Sequence, residues 1–230
     1  MPRAKRTTPG GYVYHVLNRG VGRMTIFNKP EDYQAFTQVL IETCDRIPGV
    51  DLLAYCLMPN HWHLLLRPKR GGDLSEFMRL LTVTHTQRYH AHYHTQGTGP
   101  VYQGRFKSFP IEDDAYFLVA ARYVERNALR ANLVERAEDW PWSSLSARRE
   151  GPVEVRARLG AWPVRVPGVP GGVPKQWLRT VNTPQTQKEL DAMRRCVKRG
   201  RPLGTEGWVD QTAAKMGLSL RGPGRPRKDA

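Results

Sequence analysis

The chain has 230 residues, 40% of them hydrophobic, which is enough for one domain of ordinary size with extensions or for two small domains. Lysine and arginine outnumber aspartate and glutamate by 36 to 21, so the formal net charge is +15. A chain this basic most often binds a polyanion, and nucleic acid is the first candidate. An anionic membrane surface is the alternative, but no long basic amphipathic helix stands out.

Hydropathy and cysteine spacing point to the reducing interior of a cell. No run of about 18 apolar residues predicts a membrane span, and the start MPRAKRTTPGG lacks the apolar core of a signal peptide. Cys44, Cys56 and Cys196 show no Cys-x-x-Cys spacing, which argues against a disulfide framework or a thiolate zinc site. We therefore expect a cytoplasmic protein.

The first half of the chain predicts three strands and a helix. GYVYHVLNRG alternates as a strand that ends at Gly20, and KPEDYQAFTQVLIETCDRI places apolar residues at helical spacing. VDLLAYCLMP and PNHWHLLLRP predict two further strands. The Pro59-Asn60 pair between them predicts a tight hairpin turn.

Three more elements follow, and together they define the fold class. DLSEFMRLLTVTHTQRYHAHYH predicts a long helix, VYQGRFKSFPI a strand and EDDAYFLVAARYVERNAL a last helix. The order β-α-β-β-α-β-α predicts an α+β fold of the ferredoxin-like split βαβ type. We expect an antiparallel sheet of four to five strands with helices on one face.

Composition divides the chain into three predicted parts. Residues 1–150 form the compact unit, and residues 151–193 are interpreted as a linker because WPVRVPGVPGGVPKQW is dense in proline, glycine and valine. Residues 194–230 form a basic tail with ten basic and three acidic side chains and two copies of Gly-Arg-Pro. Between the copies, TEGWVDQTAAKMGLSL predicts a small helix.

The pattern His-Trp-His on the third strand is the first candidate site. Side chains two residues apart on a strand lie about 7 Å apart on one face, so His61 and His63 share a face. Two imidazoles can chelate a metal ion, but the site needs a third ligand. Two ordinary strand histidines are the alternative. We interpret His15, on the first strand, as a packed residue, with a role beside the metal as the alternative.

The last helix offers the missing ligand. Tyr123 and Asn127 stand four residues apart and share a helix face, which a helix packed on the sheet would bring beside the histidines. A mixed nitrogen and oxygen site suits Mg²⁺ or Mn²⁺. The alternatives are that Tyr123 is a core aromatic residue and that Asn127 merely ends the helix.

These residues carry a resemblance to a known family. Two histidines around a bulky hydrophobic residue, one helical tyrosine and an amide four residues later resemble the single-tyrosine HUH transposases. More narrowly, the chain resembles the REP-associated tyrosine transposases, an IS200-like group. The matching stretches are, in this order, YHVLNRG, YCLMPNHWHLLL, QGRFKS, RYVERNALRANLV and WPWSS. The resemblance covers residues 11–146 well and the tail more loosely. Ala128 departs from it, since the family often has proline there, and some relatives have glutamine at the position of Asn127.

The resemblance implies a metal-dependent strand transferase that acts on single-stranded DNA with imperfect hairpins. Tyr123 would attack a phosphorus atom and leave a 5′-phosphotyrosyl bond and a free 3′-OH. His61, His63 and Asn127 would hold Mg²⁺ or Mn²⁺. A non-catalytic DNA-binding protein of the same fold is the alternative, and a replication or relaxase nickase is a third interpretation.

Basic side chains complete the predicted site. The residues expected to contact DNA are Arg19, Arg105, Lys107, Arg130, Arg201 and Arg225. Two of them, Arg201 and Arg225, lie in the Gly-Arg-Pro copies, which resemble minor-groove hooks. A plain polybasic tail is the alternative. We expect a monomer or homodimer associated with the nucleoid and no membrane partner.

Overall fold

The computed structural model describes residues 7–113, 115–166, 169–170 and 172–220. Its main sheet is built from β1 (Val13–Arg19), β2 (Val50–Met58), β3 (His61–Pro68) and β4 (Lys107–Ile111). The strand order is β2-β3-β1-β4, and each neighbouring pair is antiparallel. A separate two-stranded ribbon pairs β5 (Arg165–Val166) with β6 (Val169–Pro170).

Helices account for most of the remaining described chain. They are α1 (Pro30–Arg46), α2 (Asp73–Tyr93), α3 (Ala115–Glu125), α4 (Asn127–Arg130), α5 (Ser144–Glu150), α6 (Val153–Arg156), α7 (Trp177–Asn182), α8 (Gln187–Arg199) and α9 (Glu206–Met216). Short 3₁₀ turns lie at Val21–Arg23 and Ala137–Asp139. None of the helices in the described ranges combines the length and apolar content needed to cross a bilayer.

The first six elements form the predicted split βαβ unit. The order β1-α1-β2-β3-α2-β4, with β1 and β3 in the centre of the sheet, confirms the α+β ferredoxin-like fold. Met58 and His61 are cross-strand partners, so only the predicted Pro59-Asn60 turn separates β2 from β3. The fourth strand is shorter than predicted, because Tyr102 only bridges to Gly20 and regular pairing begins at Lys107.

The sheet is covered by helices on both faces. On β3, the buried side chains of Trp62, Leu64 and Leu66 pack in one core cluster with α1 and α2. The next residue of the strand, Leu65, belongs to a second cluster with α3, α7 and α8. The expectation of helices on one face therefore holds for α1 and α2, and the structure adds a second helical layer. The alternation of β3 turns His61 and His63 toward this second layer.

Described residues between 151 and 193 pack into the second core, which differs from the linker interpretation. Trp162 and Trp177 are buried and meet edge to face, with ring centroids 4.9 Å apart. The indole nitrogen of Trp177 donates a hydrogen bond of 2.6 Å to the buried carboxyl of Glu125 in α3. The free energy gained by burying two indoles stabilises a packed structure here despite the high proline and glycine content. The division of the chain into separate units stays a prediction.

The described part of the tail also contacts the domain. Leu203 is buried and forms a parallel bridge to Ile111 on β4. The predicted small helix is present as α9, where Trp208 lies 6.1 Å from the Tyr12 ring. The second Gly-Arg-Pro copy, with Arg225, lies outside the described residues. The first copy is therefore held at the sheet edge and is followed by a packed helix.

Replacement of Trp177 by alanine tests whether residues 151–193 belong to the core. We expect Trp177→Ala to lower the free energy of unfolding by about 3–5 kcal/mol, because it removes a buried indole and the hydrogen bond to Glu125. The exposed Val153 provides the control, and Val153→Ala should change stability by about 0.5 kcal/mol or less. Urea unfolding measures both values. If both substitutions lowered the free energy of unfolding by the same small amount, the linker interpretation would be supported instead.

Candidate active site

The two histidines of β3 lie side by side at the end of the strand next to the hairpin. Their ring centroids are 4.9 Å apart, with His63 buried and His61 partly exposed. In the antiparallel pairing with β1, His63 lies opposite Leu17 and His61 lies opposite Arg19. The expected shared face is therefore present, and a cationic side chain borders it.

Each histidine has one ring nitrogen engaged by a neighbouring side chain. The Nδ1 atom of His61 lies 2.6 Å from Oδ1 of Asn60, and Nδ1 of His63 lies 2.9 Å from Nε2 of His15. Because the amide oxygen of Asn60 can only accept a hydrogen bond, His61 carries its proton on Nδ1, and its Nε2 is unprotonated with a free lone pair. Nε2 of His63 is buried without a partner among the described residues.

Burial keeps the imidazoles neutral. Burial, with the positive charge of Arg130, lowers the pKa of His15 to about 3, and burial beside Arg19 and Arg130 lowers the pKa of His61 to about 4. Burial also holds the pKa of His63 well below its usual range. At pH 7 each ring therefore keeps one bare nitrogen, which is the state that a metal ion requires.

Helix α3 places Tyr123 against the histidines. The ring centroid of Tyr123 lies 5.9 Å from that of His63 and 6.3 Å from that of His15, each in an edge-on arrangement. Tyr123 is 8% exposed, so its ring is packed while part of the side chain reaches the surface. The structure thus brings the predicted tyrosine beside the predicted histidine pair.

Asn127 and Tyr123 are joined by Arg130. The helix is interrupted between them at Arg126, whose ψ angle of 0° separates α3 from α4. The Arg130 guanidinium lies 4.0 Å from the centroid of the Tyr123 ring, as in a cation–π contact. Its Nη2 donates to Oδ1 of Asn127 at 2.7 Å, and its Nη1 contacts the Tyr123 carbonyl at 3.4 Å.

The donor atoms fit a divalent ion held by nitrogen and amide oxygen. His61 offers an unprotonated Nε2, and Asn127 keeps a second lone pair on Oδ1 beside the one that Arg130 occupies. Nε2 of His63 is the buried ring nitrogen without a partner among the described residues. Nδ2 of Asn127 is buried without a partner among the described residues. The described residues include no group of three or more histidine, cysteine, aspartate or glutamate side chains that could hold a metal. A site of this kind therefore depends on the asparagine.

Three of the predicted DNA-contacting side chains border one cavity. Arg19, Arg105 and Lys107 line a space of about 310 Å³ beside the β1 end that faces His61. Arg130 lies instead over Tyr123, as described above. Arg201 is half-buried next to the segment paired with β4. The predicted basic residues therefore cluster at the site in part, and Arg225 lies outside the described residues.

Two polar partners of the site had little signal in the sequence. The sequence indicates Asn60 only as a turn residue, and His15 as a packed strand residue with a role beside the metal as the alternative. Asn60 precedes a histidine directly, so an amide next to a ligand residue was a usable signal for it. The contact of His15 depends on the register between β1 and β3, which pairs His15 with Leu65 and makes His63 its diagonal neighbour.

Comparisons with known proteins agree on one family. The family model described as "Transposase IS200 like" matches residues 10–127. A Haemophilus influenzae protein described as a REP-associated tyrosine transposase is 25% identical over 119 residues, which cover 48% of this chain. The match spans 66% of the length of that relative.

A solved structure shares the fold. The structure of a REP-associated tyrosine transposase bound to a REP hairpin matches with a TM-score of 0.51 and 20% identity. The match covers 67% of this chain and 90% of the other. At this identity the likeness supports the architecture of the sheet and its helices. The arrangement of the side chains in the site is inferred only from the distances within this chain.

Proposed function

We propose that this chain, which belongs to the IS200-like transposase family, cleaves and rejoins single-stranded DNA through a covalent bond to Tyr123. The observation that carries the proposal is the packing of the Tyr123 ring against His63 with the Arg130 guanidinium over it. A tyrosine buried purely for packing has no need of a partly buried guanidinium and two neutral imidazoles beside it. This arrangement suits a nucleophile that attacks a phosphate.

The proposed step is a transesterification. Oη of Tyr123 loses its proton and forms a bond to phosphorus, while the bond from phosphorus to the 3′ oxygen breaks and that oxygen gains a proton. The products are a 5′-phosphotyrosyl protein and a free 3′-OH. The bond energy of the phosphodiester is kept in the protein–DNA link, so attack by a 3′-OH on the link rejoins the strand.

The chain's own residues prepare this step. Arg130 places positive charge against the Tyr123 ring, which favours the negative charge that develops on the phenolic oxygen. Arg19, opposite His61, can bind an oxygen of the same phosphate. His61, His63 and Asn127 would hold Mg²⁺ or Mn²⁺. When bound, such an ion polarises the phosphate and stabilises its developing charge.

We propose a DNA strand with imperfect hairpins as the substrate. The net charge of +15 and the cavity lined by Arg19, Arg105 and Lys107 favour a polyanion next to the catalytic side chains. The solved relative is bound to a REP hairpin, and we extend that class of ligand to this chain. Action on such DNA would place the protein at the nucleoid.

Replacement of the tyrosine tests the nucleophile. We expect Tyr123→Phe to abolish strand cleavage and the covalent adduct, because phenylalanine keeps the ring but has no oxygen to bond to phosphorus. Hairpin affinity should stay near wild type. A denaturing protein gel after incubation with labelled hairpin oligonucleotides and Mn²⁺ measures the adduct.

Tyr116, which lies partly buried on the same helix, provides the matched control. Tyr116→Phe should still form the adduct. If Tyr123→Phe formed it as well, Tyr123 would not be the nucleophile. If the wild-type chain formed no adduct with any hairpin of a panel, the alternative of a non-catalytic DNA-binding protein would replace the proposal.

Removal of the ion or of one ligand tests the metal. We expect EDTA or His61→Ala to lower cleavage by about 100-fold or more, the scale for loss of one group that stabilises developing charge. The melting temperature should stay unchanged on chelation, because β3 is held by strand pairing and core packing on both faces. His92→Ala, at an exposed histidine of α2, is the control and should cleave normally. A large fall in melting temperature with EDTA would indicate a structural ion instead.

Removal of the last ten residues tests the tail. A cut after Met193 would divide α8, so we choose Leu220, after which four basic residues and one acidic residue are lost. We expect weaker hairpin binding and a shallower dependence of log affinity on log salt. The slope should change by about 0.7 for each lost phosphate contact on single strands and about 0.9 on duplex. An unchanged affinity and slope would remove residues 221–230 from DNA binding.

A further inference from the structure

We propose that His15 is a positioning residue that accepts the Nδ1 proton of His63 and thereby presents the bare Nε2 of His63 to the ion. This inference rests on the proposed function, since it concerns the ion that His61, His63 and Asn127 would hold. It assigns a role to a first-strand histidine that does not itself touch the ion.

The contact between the two rings is direct and buried. Nε2 of His15 lies 2.9 Å from Nδ1 of His63, and both rings are shielded from solvent. Phe109 packs on His15 with ring centroids 4.8 Å apart and limits its rotation. Two neutral imidazoles at this distance share one proton, because one ring must donate and the other must accept.

The position of that proton decides whether His63 can bind a metal. If His63 donates from Nδ1, its Nε2 carries a lone pair, and that atom is the one buried without a partner among the described residues. If His15 donates from Nε2, His63 instead carries its proton on Nε2 and cannot bind an ion there. Only the first arrangement gives the buried Nε2 of His63 a partner once an ion is bound.

His61 shows the same arrangement with a different acceptor. Its Nδ1 donates to Oδ1 of Asn60 at 2.6 Å, and this bond sets the ring in the same way. Histidine ligands of metal ions generally donate a hydrogen bond from their second ring nitrogen to an oxygen acceptor, which fixes the tautomer and the direction of the ring. At His63 the acceptor is an imidazole nitrogen of β1. The two proposed histidine ligands are thus oriented by two different partners.

Matched variants of His15 separate hydrogen bonding from packing. His15→Gln keeps an acceptor, His15→Phe keeps an aromatic ring without one, and Phe109→Leu disturbs the packing of His15 without touching its nitrogens. Each variant is made in the Tyr123→Phe background and saturated with a hairpin oligonucleotide, so that an uncleaved phosphate offsets the positive charge of Arg19 and Arg130. Mn²⁺ affinity is then measured from the electron paramagnetic resonance signal of the free ion, with a melting curve for each variant.

We expect His15→Phe to weaken Mn²⁺ binding by about 10- to 100-fold, the usual effect of losing such an orienting partner. His15→Gln should restore most of the affinity, and Phe109→Leu should change it little. If the His15→Phe variant bound Mn²⁺ as tightly as the protein that keeps His15, the proposal would be overturned. Equal losses in all three variants would overturn it too, because packing alone would then explain them.

The tautomer of His63 provides an independent readout. In the protein labelled with ¹⁵N-histidine and loaded with Mg²⁺, long-range ¹H–¹⁵N correlations should show the proton of His63 on Nδ1, with assignment from His63→Ala. A proton on Nε2 would overturn the role of His15. If the Tyr123→Phe protein did not bind Mn²⁺, both the ion site and the role of His15 would be overturned. If it bound Mn²⁺ normally and the added His15→Phe change left the affinity unaltered, only the role of His15 would be overturned.

Discussion

The alternation of β3 between two buried faces is the constraint on which the rest of the structure depends. Trp62 points into the core formed with α1 and α2, so the residues on either side of it must point to the opposite face. A slip of one residue would place an indole in the site and two imidazoles in the apolar core. Burial of the full indole thus fixes the direction in which His61 and His63 face.

The second helical layer completes the site that β3 begins. Helix α3 packs on the same face as Leu65, and so it brings Tyr123 against His63. Glu125, two residues after Tyr123, accepts a hydrogen bond from Trp177 and therefore ties α3 to the later part of the chain. Residues well beyond the strands and helices of the split βαβ unit consequently help to hold Tyr123 in place.

The electrostatics of the site point to an anionic ligand. Three neutral histidines and an amide lie close to Arg130 and Arg19, and the described residues around them form no metal-binding carboxylate group. Such a set of side chains has an excess of positive charge that a phosphate would balance. The ion and the DNA strand would then stabilise each other, because each offsets the charge that the other meets.

Much of the fold and the core of the site followed from simple periodicities. Period two on β3 pairs His61 with His63, and a spacing of four on the last helix pairs Tyr123 with Asn127. The resemblance to the single-tyrosine HUH transposases is what favours one shared site over ordinary packing. The contact of His15 was out of reach because it depends on the register of two strands that are distant in sequence. Proline and glycine dominate the composition of residues 151–193 and so predict a linker, whereas the indoles of Trp162 and Trp177 are buried in the described part of that stretch.

Identification of the residue that bonds to DNA tests directly whether the covalent chemistry takes place on the second face of β3. The protein–DNA adduct formed by the full chain is digested, and the peptide that carries the nucleotide is identified by mass spectrometry. We expect a 5′-phosphate on the phenolic oxygen of Tyr123. A nucleotide on any other residue, such as a tyrosine of α2 or of β1, would contradict it.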